Sequence, residues 1–200
     1  MKLKLNALLT AALLSSAAIS ASALTVVANP SGTGINVVSN PCDASVTPTS
    51  GATTVFGCLN TLHAQKVSLT SDENLVITGG QATLDSADGV FGELTISVVD
   101  KQLTSVIFNI DATADGTVTF SDGDGVGPTF DLDANGQNFF TITGVAGGFL
   151  TFETSGQIVA DVKQIRLNAV GVIPEPETYA LMLAGLGALG FVARRRKAVR

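Results

Sequence analysis

The sequence predicts an all-β chain, an antiparallel β-sandwich of jelly-roll type, on three observations. Between Leu24 and Ile173, short runs rich in β-branched and aromatic residues recur about every 8 to 12 residues, with Gly, Asp, Asn and Pro between them. Several runs alternate at period two. Leu94, Ile96 and Val98 interleave with Thr95, Ser97 and Val99, and Val106, Phe108 and Ile110 surround Ile107 and Asn109, which sends one set of side chains to a core and the other to water. Nine of the chain's ten Phe lie in this body and supply bulk for a core between two sheets. No convincing helical period runs through this body, and a parallel α/β arrangement is not expected.

The first segment does not belong to that body. MKLKLNALLTAALLSSAAISASA carries Lys2 and Lys4, an apolar run from Ala7 to Ile19, and then Ala21-Ser22-Ala23, the small-x-small pattern that signal peptidase cuts. Residues 1–23 are expected to be a secretory signal, cleaved after Ala23 and handed to the secretion machinery. A buried core helix would need a polar face, and this run has none.

The body, residues 24–173, opens on the short run LTVV and then the turn-rich stretch NPSGTGINVVSNPCDASVTPTSGA, which holds the short run INVV. The runs KVSL, LVIT, ELTISVV, LTSVIFNI, TVTF, FFTIT, FLTFET, IVADV and QIRLNAV follow as strands. Cys42 and Cys58 both lie in the exported part. An even, isolated pair in an oxidising compartment is expected to form one disulfide, worth on the order of 3 kcal/mol if unstrained.

Charge bounds the partners. Within 24–173 stand fifteen Asp and Glu but only Lys66, Lys101, Lys163 and Arg166, a net charge of −11. Such a body lacks the basic stripe that releases counterions from phosphates, so it is expected to avoid nucleic acid and anionic lipid. It can attract cations. In DATADGTVTFSDGDGVGPTFDLDANGQNFF, Asp122 and Asp124 are spaced by two, as are Asp131, Asp133 and Asn135, with Gly136 at the sixth position of the second set. That is the first half of a calcium loop, although Ile142 occupies the twelfth position and strands flank it. The competing expectation is that Asp and Gly only build hairpin turns between the strands TVTF, TFDL and FFTIT. No other cofactor is expected.

Catalytic constellations are thin. The only histidine, His63, is expected in a loop or at a strand edge, and no serine sits in a nucleophile elbow. The glycines sit in turns without the strand-to-helix context or adjacent lysine of a phosphate cradle. No enzymatic activity is expected.

The last segment is the most specific. Pro174-Glu175-Pro176 ends strand pairing, since proline lacks a donor and holds an extended backbone. Thr178 to Ala193 are sixteen residues without a charge, about 24 Å as a helix against a hydrocarbon core of about 30 Å. Arg194, Arg195, Arg196 and Lys197 follow and would stay cytoplasmic by the positive-inside rule, as would Lys2 and Lys4. The body then lies across the inner membrane.

This order of motif, short apolar helix and basic end, over Pro174 to Arg200, resembles the PEP-CTERM sorting signal of Gram-negative bacteria. NGQNFFTITG and VADVKQIRLNAV also resemble the bodies that precede such tails. The resemblance implies an exosortase, a membrane-embedded cysteine transpeptidase, as the partner that processes the chain near Pro174 to Pro176. It also implies a precursor held transiently in the inner membrane and a link to exopolysaccharide or biofilm matrix. The expected role is an exported, non-enzymatic surface or matrix protein, with a carbohydrate- or calcium-binding adhesive module as the alternative.

Overall fold

The computed structural model describes residues 23–28, 32–46, 50–79, 81–134, 136–171 and 182–186. Twelve strands occur there: β1 (Thr25–Val27), β2 (Ile35–Val38), β3 (Ala52–Leu59), β4 (Leu62–Thr78), β5 (Thr83–Ser86), β6 (Glu93–Val98), β7 (Lys101–Ala112), β8 (Gly116–Ser121), β9 (Val126–Leu132), β10 (Asn138–Thr143), β11 (Phe149–Thr154) and β12 (Val159–Gly171). The one described helical stretch, 182–186, is exposed.

The strands join antiparallel in the order β1-β10-β7-β12-β2-β3-β4-β6-β11-β8-β9, and β5 pairs both β12 and β4. This continuous sheet closes over itself. Phe108 on β7 lies 6.2 Å from Phe120 on β8 and 5.7 Å from Phe152 on β11, strands far from β7 in the pairing order. Phe140 on β10 likewise meets Phe120 at 5.1 Å and Phe130 at 5.6 Å. The two halves therefore face each other across one phenylalanine-rich core, as the alternating runs predict. Phe91, Phe108, Phe120 and Phe152 are fully buried.

Two predicted pairs of strands are each one strand. KVSL and LVIT merge into β4 because the polar stretch between them is held rather than turned. Ser71 donates from Oγ to the Glu93 carbonyl at 2.6 Å, and the Asp72 carboxylate accepts from the Gly92 and Glu93 N–H groups. IVADV and QIRLNAV merge into β12 across a bulge between Lys163 and Arg166, where Gln164 takes φ +56°. His63 accordingly stands inside β4, two residues beyond the Asn60-Thr61 hairpin turn, and not in a loop.

Two strands, β3 and β5, lie where no run is expected, and a third, β9, extends the expected TFDL back through Pro128. β3 holds Gly57 at a point where a Cβ would come within 2.9 Å of the Val38 carbonyl, so the glycine marks close backbone approach rather than a break. β5 is the short segment TLDS. β9 contains Pro128, which a sheet tolerates on an edge, and β9 and the three-residue β1 are the two ends of the strand order.

Cys42 and Cys58 form the disulfide. It ties the loop after β2 to β3 and sits in a small apolar cluster with Val38, Val46 and Phe56 outside the main core. Lys66 Nζ lies 3.5 Å above the Phe56 ring, which gives this satellite a cation–π cover.

Candidate functional site

Antiparallel pairing sorts the turns into two poles. At one lie the turns 60–61, 99–100, 122–125 and 144–148; at the other lie 87–92, 113–115 and 155–157. Gly171, the last residue of β12, pairs with Lys101, the first of β7, so the chain leaves toward its tail at the first pole. Thr25, the first residue of β1, pairs with Thr143 at the end of β10, so the chain arrives from its N-terminal segment at the same pole. Ala23 and Leu24 line a cleft of about 410 Å³ there with Asp122, Asp124 and residues 125–128. Leu24 packs against the core.

The predicted acidic residues separate. Asp122 and Asp124 occupy the β8–β9 turn at the tail pole, whereas Asp131 pairs with Thr117 toward the opposite end of that hairpin, and Asp133 follows it. Asn135 lies outside the described residues. Among the described residues, no group of three or more His, Cys, Asp or Glu stands close enough to hold a metal ion.

Asp122 does a different task. It is 2 % exposed, and its carboxylate accepts N–H bonds from Asp124 at 3.2 Å and from Ala146 at 3.0 Å. It thereby clamps the β8–β9 turn to the β10–β11 loop. The loop comes so near that a Cβ on Gly147 would fall 1.8 Å from the Asp122 carbonyl oxygen. Asp122→Ala is expected to cost about 2 kcal/mol, because the two N–H groups that tie the turn to the loop lose their charged acceptor. A urea midpoint unchanged from the parent protein would remove this role.

His63 lines a second, shallower cleft of about 400 Å³ with Asp43, Gln65 and Lys101. Among the described residues, none of the side chains lining it is a serine or cysteine. At the other pole the fold makes a cluster that spacing along the chain could not reveal. Lys163 Nζ lies 2.8 Å from Asp161 and 3.2 Å from Asp111, carboxylates on neighbouring strands. Burial pushes the Asp161 carboxyl above its ordinary range even though Lys163 pulls the other way. The hydrogen bond to Asp161 raises Lys163 in turn.

The sorting residues Pro174, Glu175, Pro176, Arg194, Arg195, Arg196 and Lys197, like Ala21, lie outside the described residues. No described helix is long and apolar enough to cross a membrane. The sequence itself decides the matter: a family model of the PEP-CTERM protein-sorting motif matches residues 172–197. The chain carries a PEP-CTERM sorting motif. That motif marks an exported protein with a membrane-anchored precursor and an exosortase as its processing partner. It begins one residue after β12 ends, so the last strand runs directly into it. No curated protein and no solved structure matches the chain.

Proposed function

We propose that the chain is a non-enzymatic structural protein of the cell surface or extracellular matrix. Its signal, residues 1–23, directs secretion, its body is the β-sandwich of residues 24–173, and an exosortase removes the tail, residues 174–200. The observation that carries this reading is the PEP-CTERM motif placed immediately after the final strand. The residues it assigns are Pro174, Glu175 and Pro176 for recognition, the apolar stretch for docking in the membrane, and Arg194 to Lys197 for orientation.

Intact mass of the protein from cells with and without the exosortase tests the proposal. A mature chain starting at Leu24 and ending near Pro174 to Pro176 is expected only where the enzyme is present. Arg200 still attached in a competent host would overturn it.

A second reading, adhesion to polysaccharide, is favoured by one observation. Thr54, Thr70, Thr95, Thr151 and Ser121 stand in register across β3, β4, β6, β11 and β8. Their hydroxyls meet at 3.0 Å between Thr54 and Thr70 and at 2.8 Å between Thr95 and Thr151. Sugar hydroxyls could replace these partners.

A further inference from the structure

We propose that the tail pole is a lipid-contact surface, on which the precursor's body rests against the outer face of the bilayer holding its terminal segments. The inference rests on the sorting reading above and adds an interaction surface to it.

Four features converge on this pole. Both covalent connections to the terminal segments emerge there, through Ala23 before β1 and Gly171 after β12. A body tethered by either end thus presents the same face to the membrane, and before signal removal it is tethered by both.

The second feature is apolar exposure. The described body leaves five large apolar side chains exposed, and all but Val27 stand at this pole: Leu62 at 52 %, Val99 at 38 %, Val126 at 79 % and Val170 at 49 %. They occupy strand ends and a turn, Leu62 beginning β4, Val99 following β6, Val126 beginning β9 and Val170 next to last in β12. Single exposed apolar residues are ordinary on a protein surface, but four gathered at the point of tethering form a contact face.

The third is charge. The tail pole holds Asp43, Asp100, Asp122 and Asp124 against Lys66 and Lys101, with His63 beside them, and Asp122 is buried under its two N–H bonds. The other eleven of the body's fifteen acidic residues lie toward the opposite pole, with Lys163 and Arg166 on β12 as the only bases there. β7 alone is twelve residues, about 40 Å long at roughly 3.3 Å per residue, several times a Debye length of about 8 Å. Only the orientation with the tail pole toward an anionic surface keeps the dense negative charge beyond its repulsion.

The fourth is the position of Lys101, which pairs with Gly171 at the exit itself and can lay its apolar stem on the lipid while its ammonium group stays in water.

The test uses the full-length precursor inserted in nanodiscs of phosphatidylethanolamine and phosphatidylglycerol that carry a headgroup nitroxide quencher. A small fluorophore is placed at position 62, 99, 88 or 133, one at a time, all exposed sites. Most emission is expected to be lost at 62 and 99 and retained at 88 and 133. Equal loss at all four positions means a tumbling body and overturns the proposal. Loss at 62 and 99 that appears only after exosortase is co-inserted assigns the face to the enzyme and overturns contact with lipid. A precursor that does not insert at all overturns the sorting reading, and this surface with it. As a second check, Leu62→Glu, Val99→Glu and Val170→Glu together are expected to restore emission from a label at position 126. Circular dichroism should remain that of the parent, and unchanged quenching in this folded variant would also refute the surface.

Discussion

Phe108→Ala is expected to lower folding stability by about 4 kcal/mol, the upper part of the range for emptying a well-packed aromatic site. Phe108 is fully buried on β7, and its ring lies 6.2 Å from Phe120, 6.4 Å from Phe140 and 5.7 Å from Phe152. Those partners come from both halves of the folded sheet. The halves are held apart by hydrogen-bonded strands and stitched by β5, so they cannot close on the space a phenyl leaves. A domain of this size should lose about 10 °C in Tm. Chemical denaturation checks the value, and a loss below about 1 kcal/mol would mean that the core collapses freely.

Pro174→Ala combined with Pro176→Ala is expected to leave the tail on the protein in a host that carries the exosortase. β12 ends at Gly171, one residue before the motif begins. Proline fixes an extended φ and lacks a backbone donor, so two of them at this junction are expected to disfavour continued strand pairing and to leave the motif available to an enzyme cleft. Alanines permit continued strand pairing or helix, and a paired segment must be unzipped before it can be gripped. The check is intact mass together with membrane fractionation. Normal trimming of the double variant would show that recognition needs neither proline.

What was legible followed the range of the signal along the chain. β6, β8 and β11 were readable because their apolar residues alternate into the core, and β7 and β10 from their β-rich composition, although in β7 the alternation breaks at Ile107, which is buried beside Val106 and Phe108 rather than turned to water. The sorting motif was readable for the same reason, since its parts are contiguous. β3 was not legible, and β9 only as TFDL, because Gly57 and Pro128 look like breakers, whereas close packing beside Val38 and an edge position are what admit them. The spacing of Asp122, Asp124, Asp131 and Asp133 carried no information on their separation, because the β8–β9 hairpin runs between the two pairs. The gathering of Leu62, Val99, Val126 and Val170 depends on which strand ends meet, a property of topology that no local window contains.

Pro128 has a consequence for life at high density. A surface layer crowds identical molecules side by side, where a bare strand margin would recruit the margin of a neighbour and grow into a fibril. β9 offers one peptide donor fewer at its midpoint and carries Asp131 near its end, and β1 is only three residues long. Copies can therefore meet at high concentration without zipping edge to edge.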